Sequence, residues 1–85
     1  MGKILIALEV PAIEEKYDLF IPEFLTIEEC TILLAKAITD MTRKRYVCSG
    51  REVLLYRSRE GYIILNKKYT IADYGLKNGE SLYIF

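Results

Sequence analysis

The chain has no histidine and no tryptophan, and only two cysteines and two prolines among its 85 residues. Without histidine it lacks the side chain that most often serves as general base or metal ligand near neutral pH. Cys30 and Cys48 do not have the short spacing of a metal-binding pair, so neither a metal nor another cofactor is expected. There is no phosphate-binding glycine loop and no nucleophile beside a base, and the chain reads as a non-enzyme. Excess charge is missing too, because 12 lysines and arginines balance 12 aspartates and glutamates. No basic stripe results, which removes nucleic acid and anionic lipid from the expected partners. No window approaches the ~20 consecutive apolar residues of a membrane span, so direct membrane insertion is not expected. Lys3 and the apolar run Ile4 to Val10 look like the start of a signal peptide. Glu9 and Pro11 interrupt that run and no small-residue cleavage site follows, so it reads as a strand. The reducing cytoplasm is therefore the expected compartment. Cys30 then reads as a small core thiol, with a disulfide to Cys48 left open by the sequence. Cys48 follows the cations Arg43, Lys44 and Arg45, which would lower a thiol pKa.

What is present is apolar surface. The apolar fraction, 52%, is enough for residues 1–85 to fold as one domain on one core. Ile4, Ile6, Leu8 and Val10 alternate with Leu5, Ala7 and Glu9, a pattern of a central strand covered partly on both faces. Pro11 stops it. Tyr17, Leu19 and Ile21 alternate with Lys16, Asp18 and Phe20 up to Pro22, so residues 11–15 connect a hairpin. Thr26 and Glu29 form a capping box at the start of a helix that runs to about Thr42. Its apolar stripe is Ile27, Cys30, Leu33, Leu34, Ala37, Ile38 and Met41. Residues 43–50 are a basic loop, most simply solvated, with an acidic protein partner as the next reading. Glu52–Arg57 and Tyr62–Leu65 are two further strands around a turn at Gly61. Thr70 caps a single helical turn ended by Gly75, Lys77–Glu80 is a turn, and Ser81–Phe85 is the last strand, with Leu82 and Ile84 inward.

The order is ββαββ, a short helical turn, then β. One amphipathic helix must cover one face of a mixed sheet, and the helix supplies the crossover that lets the first and last strands pair in parallel. The fold class predicted is α+β, the β-grasp arrangement, with one long helix packed across a mixed sheet.

The closing TIADYGLKNGESLYIF resembles the end of ubiquitin-like domains, and YDLFIP before a threonine-capped helix fits the same pattern. Along nearly its whole length the chain is similar to the EsaB/YukD family: Tyr17-Asp18-Leu19, the Ile21-Pro22 exit, and Asp73-Tyr74-Gly75-Leu76 with Asn78-Gly79 before the final apolar strand. That resemblance implies a non-catalytic, cytoplasmic accessory protein of the type VII secretion system of Gram-positive bacteria, which exports small WXG-type proteins. It implies protein components of that machinery as partners, namely the membrane complex or its cytosolic domains, with the chain peripheral to the membrane.

The alternative is a ubiquitin-like modifier or sulfur carrier, whose chemistry needs a flexible C-terminal Gly-Gly. No glycine follows Gly79, and the chain closes on Leu82-Tyr83-Ile84-Phe85, bulky and β-prone, which counts against a carrier. Asp73 sits in a helical turn, where capping is the expected role of its carboxylate. For a binding module, the sheet face turned away from the helix is the expected surface. The outward residues expected there are Leu5, Phe20, Leu54, Tyr56 and Tyr83. Shielding by loops, or weak homo-oligomerisation through the same face, is the competing reading.

Overall fold

The computed structural model describes residues 2–85. Strand β1 (Lys3–Val10) holds Ile4, Ile6, Leu8 and Val10 in the core, as their alternation predicts. Strand β2 (Glu15–Pro22) returns antiparallel along its whole length, with Leu5 opposite Phe20 and Glu9 opposite Lys16. The connection is a 3₁₀ turn, Pro11–Ile13, closed by Glu14 in the left-handed region.

Helix α1 (Ile27–Met41) starts where the capping box predicts. The Glu29 N–H donates to Thr26 Oγ1 at 3.1 Å and the Thr26 N–H donates to Glu29 Oε1 at 3.0 Å. Its buried stripe is rotated from the expected one. Ile27, Cys30, Leu34 and Ile38 are inside as expected, but Thr31 and Ala35 join them while Leu33 and Met41 are exposed. Thr31 tolerates burial because its hydroxyl donates to the Ile27 carbonyl at 2.6 Å, so no polar group is left unpaired. Burial raises the Cys30 thiol to about 12, which keeps it protonated and makes it the core residue expected.

After α1 the backbone turns through Arg43 and Lys44, both left-handed, and Arg45 meets Glu15 in an exposed ion pair at 3.0 Å. The segment that follows is organised by a side chain the sequence does not advertise. Glu52, expected as the first residue of a strand, is a loop anchor only 6% exposed. Its carboxylate accepts from the Ser49 N–H (2.6 Å), the Gly50 N–H (3.0 Å) and the Tyr46 hydroxyl (3.0 Å). Burial alone would raise its pKa; these donors outweigh burial and hold it below the ordinary glutamate value. The same environment, burial first and then the Glu52 carboxylate, pushes the Tyr46 hydroxyl up to about 12.

Strands β3 (Leu54–Ser58), β4 (Gly61–Ile64) and β5 (Glu80–Ile84) complete a sheet of order β2-β1-β5-β3-β4. The central β1 and β5 are parallel, with Ile6 opposite Glu80 and Leu8 opposite Leu82, and the other pairs are antiparallel. Leu82 and Ile84 face the core, as expected. The closing segment follows its sequence pattern. Thr70 and Asp73 cap each other, the Thr70 N–H donating to Asp73 Oδ2 (2.9 Å) and the Asp73 N–H to Thr70 Oγ1 (3.1 Å). A 3₁₀ turn (Ala72–Tyr74) ends at Gly75 with φ of 63°, where only glycine avoids a Cβ penalty. Leu76 is buried behind it. Asn78-Gly79 then clamps the backbone of Leu5: the Leu5 N–H donates to Asn78 Oδ1 and the Gly79 N–H to the Leu5 carbonyl, both at 2.8 Å. Among the described residues no helix is long and apolar enough to cross a membrane.

Candidate interaction surface

Helix α1 covers one face of the sheet, and strand periodicity decides which side chains stand on the other. On β1 they are Leu5, Ala7 and Glu9, and on β2 they are Lys16, Asp18 and Phe20. Tyr83 stands there on β5, flanked in register by Glu9 of β1 and Leu55 of β3. Leu55 in turn faces Ile64 of β4. Lys16, Glu9, Tyr83, Leu55 and Ile64 therefore form one cross-strand line over all five strands, charged at the β2 end and apolar at the β4 end.

The apolar end is the densest part. The Tyr62 and Tyr83 rings meet edge to face with centroids 5.2 Å apart, and the Arg57 guanidinium lies 5.9 Å from the centre of the Tyr62 ring. Both are geometries that aromatic side chains favour. Partial burial and the neighbouring Glu9 carboxylate raise the pKa of the Tyr83 hydroxyl, against the opposing effect of Arg57, so it stays a neutral donor at physiological pH. Tyr62 and Ile64 are both exposed, the latter by 66%. At the other end Leu5 and Phe20 form a second apolar lobe, Phe20 being 68% exposed. Ala7, paired with Ser81, leaves a low saddle between the two lobes.

Of the five residues expected on this face, Leu5, Phe20 and Tyr83 are on it. Leu54 and Tyr56 are not. Leu54 is 1% exposed and stands on the helix side opposite Ile84, and Tyr56 stands on the same side opposite Leu82. The Tyr56 hydroxyl donates to Glu80 Oε1 at 2.7 Å, which raises its pKa. The physical reason is phase. Val53-Leu54-Leu55-Tyr56 is apolar at every position, so it has no alternation of its own, and pairing with β5 sets which residues turn inward. The residues missed are Leu55, Tyr62 and Ile64. A signal for Leu55 was present: with Leu82 and Ile84 inward, a strand paired to β5 must bury the residues opposite them and expose the one between.

A scan against protein-family models gives no match, and neither does a search of curated proteins. Solved structures do match over nearly the whole chain. The EccD5 ubiquitin-like domain from Mycobacterium xenopi has a TM-score of 0.74 at 13% identity, covering 100% of this chain and 94% of that one. The C-terminal ubiquitin-like domain of mouse tubulin-specific chaperone e gives 0.72 at 17% identity, covering 98% and 84%. The ubiquitin-like domain of Plasmodium falciparum Dsk2 gives 0.71 at 13% identity, covering 96% and 95%. The fold is the ubiquitin-like β-grasp. At such identities the likeness extends to the backbone arrangement, and the ubiquitin-like sheet of this chain carries its own set of surface side chains.

Proposed function

We propose that this chain is a non-catalytic protein-interaction domain that binds its partner through the open sheet face, and that it serves type VII secretion in Gram-positive bacteria as a cytoplasmic accessory protein. The observation that carries the binding reading is the apolar and aromatic cluster of Tyr83, Leu55, Ile64 and Tyr62, left on the surface beside a balanced set of charges. Tyrosines held by ring contact and strand pairing lose little side-chain freedom on binding, which is what interface anchors require. Two supports bear on the secretion context. One is the resemblance of YDLFIP and the DYGLKNG turn to the EsaB/YukD family. The other is that a domain of the same fold, EccD5, comes from a type VII system. On this reading the partner is a protein of the secretion machinery, reached at the cytoplasmic side of the membrane complex.

The test is affinity capture from cytosol and membranes of the producing bacterium, together with an export assay for a WXG-type protein. Ile64→Asp puts a charge into the exposed end of the cluster, where a surface substitution changes stability by about 0.5 kcal/mol or less. Capture of the proteins of the membrane complex should fall by about tenfold or more, with export reduced in step. Undiminished capture and export would remove this face from the reading.

A further inference from the structure

The loop that Glu52 anchors folds back on α1. The Cys48 N–H donates to Thr39 Oγ1 and the Tyr46 N–H to Thr42 Oγ1, both at 3.1 Å, which laces residues 46–48 to the end of the helix. The Arg51 N–H then donates to Ser49 Oγ within the turn whose other amides Glu52 accepts. Two small hollows remain between this loop and α1. One, of about 100 Å³, lies among Ile32, Ala35, Lys36 and Cys48. The other, of about 70 Å³, lies among Glu28, Thr31, Ile32 and Lys67. Gly50 and Glu52 bound both on the loop side, so the two adjoin at Ile32, which is 51% exposed. Each is smaller than the ~150 Å³ cavity that takes one benzene. A partner's side chain therefore fits, and a cofactor-sized ligand, which needs about 300 Å³ or more, does not.

Charge around the hollows is unbalanced. Lys36 and Lys67 line them, and Arg51 stands between Gly50 and Glu52. All three cations are exposed. Among the described residues the one ion pair is Arg45 with Glu15, so none of the three has a carboxylate partner. Glu28 is the exposed anion lining the groove, and the buried Glu52 carboxylate is already taken up by its own donors. We infer that this groove binds an acidic protein segment, which seats an aliphatic side chain on either side of Ile32 and sets carboxylates against Lys36, Arg51 and Lys67. The site lies against the helix, apart from the open sheet face, and does not depend on the reading given for that face. A bilayer or a nucleic acid spreads its anions widely and calls for a broad basic surface, which a chain of no net charge does not offer. A second copy laid groove to groove would set the same cations against each other.

The probe is the acetylated peptide Glu-Glu-Leu-Glu-Glu-Leu-Glu-Glu, and Cys48 supplies the readout. Cys48 borders the larger hollow and is half-buried, whereas the Cys30 thiol is buried and held protonated. Iodoacetamide should therefore label Cys48 alone, and saturating peptide should slow that labelling by about tenfold. Ile32→Glu, and Lys36→Glu combined with Lys67→Glu, should each weaken peptide binding by about tenfold or more. Their thermal midpoints should stay within a few degrees of the parent, because all three side chains are exposed. Lysines in place of the peptide's glutamates should abolish binding. Ile64→Asp should bind the peptide like the parent, which separates a failure here from a failure of the sheet-face reading. Unslowed labelling of Cys48, or undiminished binding by either groove variant, would overturn the proposal. Cosedimentation with phosphatidylserine vesicles but no binding of the peptide would overturn it in favour of a membrane. Protection of Cys48 by self-association without peptide would overturn it in favour of a second copy.

Discussion

Leu54→Asp should leave the protein unfolded at 25 °C. Leu54 lies at the middle of the core face, opposite Ile84 and among side chains with almost no exposure. Truncation alone, Leu54→Ala, removes its burial and leaves a cavity, a change that costs about 2–5 kcal/mol in well-packed cores. The aspartate adds an unpaired carboxylate in an apolar site. A chain of this length has a total stability of only about 4–13 kcal/mol. Circular dichroism should therefore show a lost native spectrum for Leu54→Asp and a lowered but cooperative transition for Leu54→Ala. A Leu54→Asp protein that melts like the parent would contradict the burial described above. Leu55→Asp, one residue along, should remain folded because its side chain stands on the open face.

The second large effect belongs to Glu52. Glu52→Ala removes the acceptor for two backbone N–H groups and the Tyr46 hydroxyl together. Each donor left without a partner costs about 1–3 kcal/mol, and water entering the loop recovers part of that, so the expected loss is about 2–4 kcal/mol. For a domain of this size that lowers the midpoint by roughly 10–25 °C. Glu52→Gln keeps the shape but turns an N–H₂ toward a site where the partners are donors, so it restores only part of the loss. The pH dependence has a definite sign. The folded pKa of Glu52 is depressed, so its contribution is full above the unfolded glutamate value of about 4.3 and is lost as pH falls through the lower folded pKa. Urea midpoints followed downward from neutral pH should decline more steeply in the parent than in Glu52→Gln. Parallel curves would show that the carboxylate does not hold the loop.

The parts of the fold legible in the sequence were those in which a local rule and the tertiary arrangement agree. Thr26 and Glu29 marked the start of α1, Thr70 and Asp73 the final turn, and the alternation from Ile4 to Val10 the central strand. Leu54 and Tyr56 were misplaced because four apolar residues in a row contain no phase, and only β5 supplies it. Glu52 was missed because a carboxylate that binds loop amides has no sequence pattern of its own. The rotation of α1 was missed because Thr31 counts as polar until its hydroxyl is seen bonded within the helix. The candidate surface was half legible for the same reason. Leu5, Phe20 and Tyr83 lie on strands with clear alternation, whereas Leu55 takes its phase from β5 and Ile64 from the register of the β3–β4 hairpin.

The parallel contact of β1 with β5 also bears on the order in which the molecule assembles. It joins Ile6–Glu9 to Glu80–Tyr83, so the most central pairing in the sheet spans nearly the whole chain. Contacts of such long sequence separation close late and slow the folding reaction. During synthesis the β1–β2 hairpin and α1 emerge well before β5, and until Leu82 and Ile84 arrive, the inner side of β1 lacks its central neighbour. Until β5 emerges, the nascent hairpin therefore presents an apolar flank, and at that stage a chaperone or a cognate partner has greatest access to it.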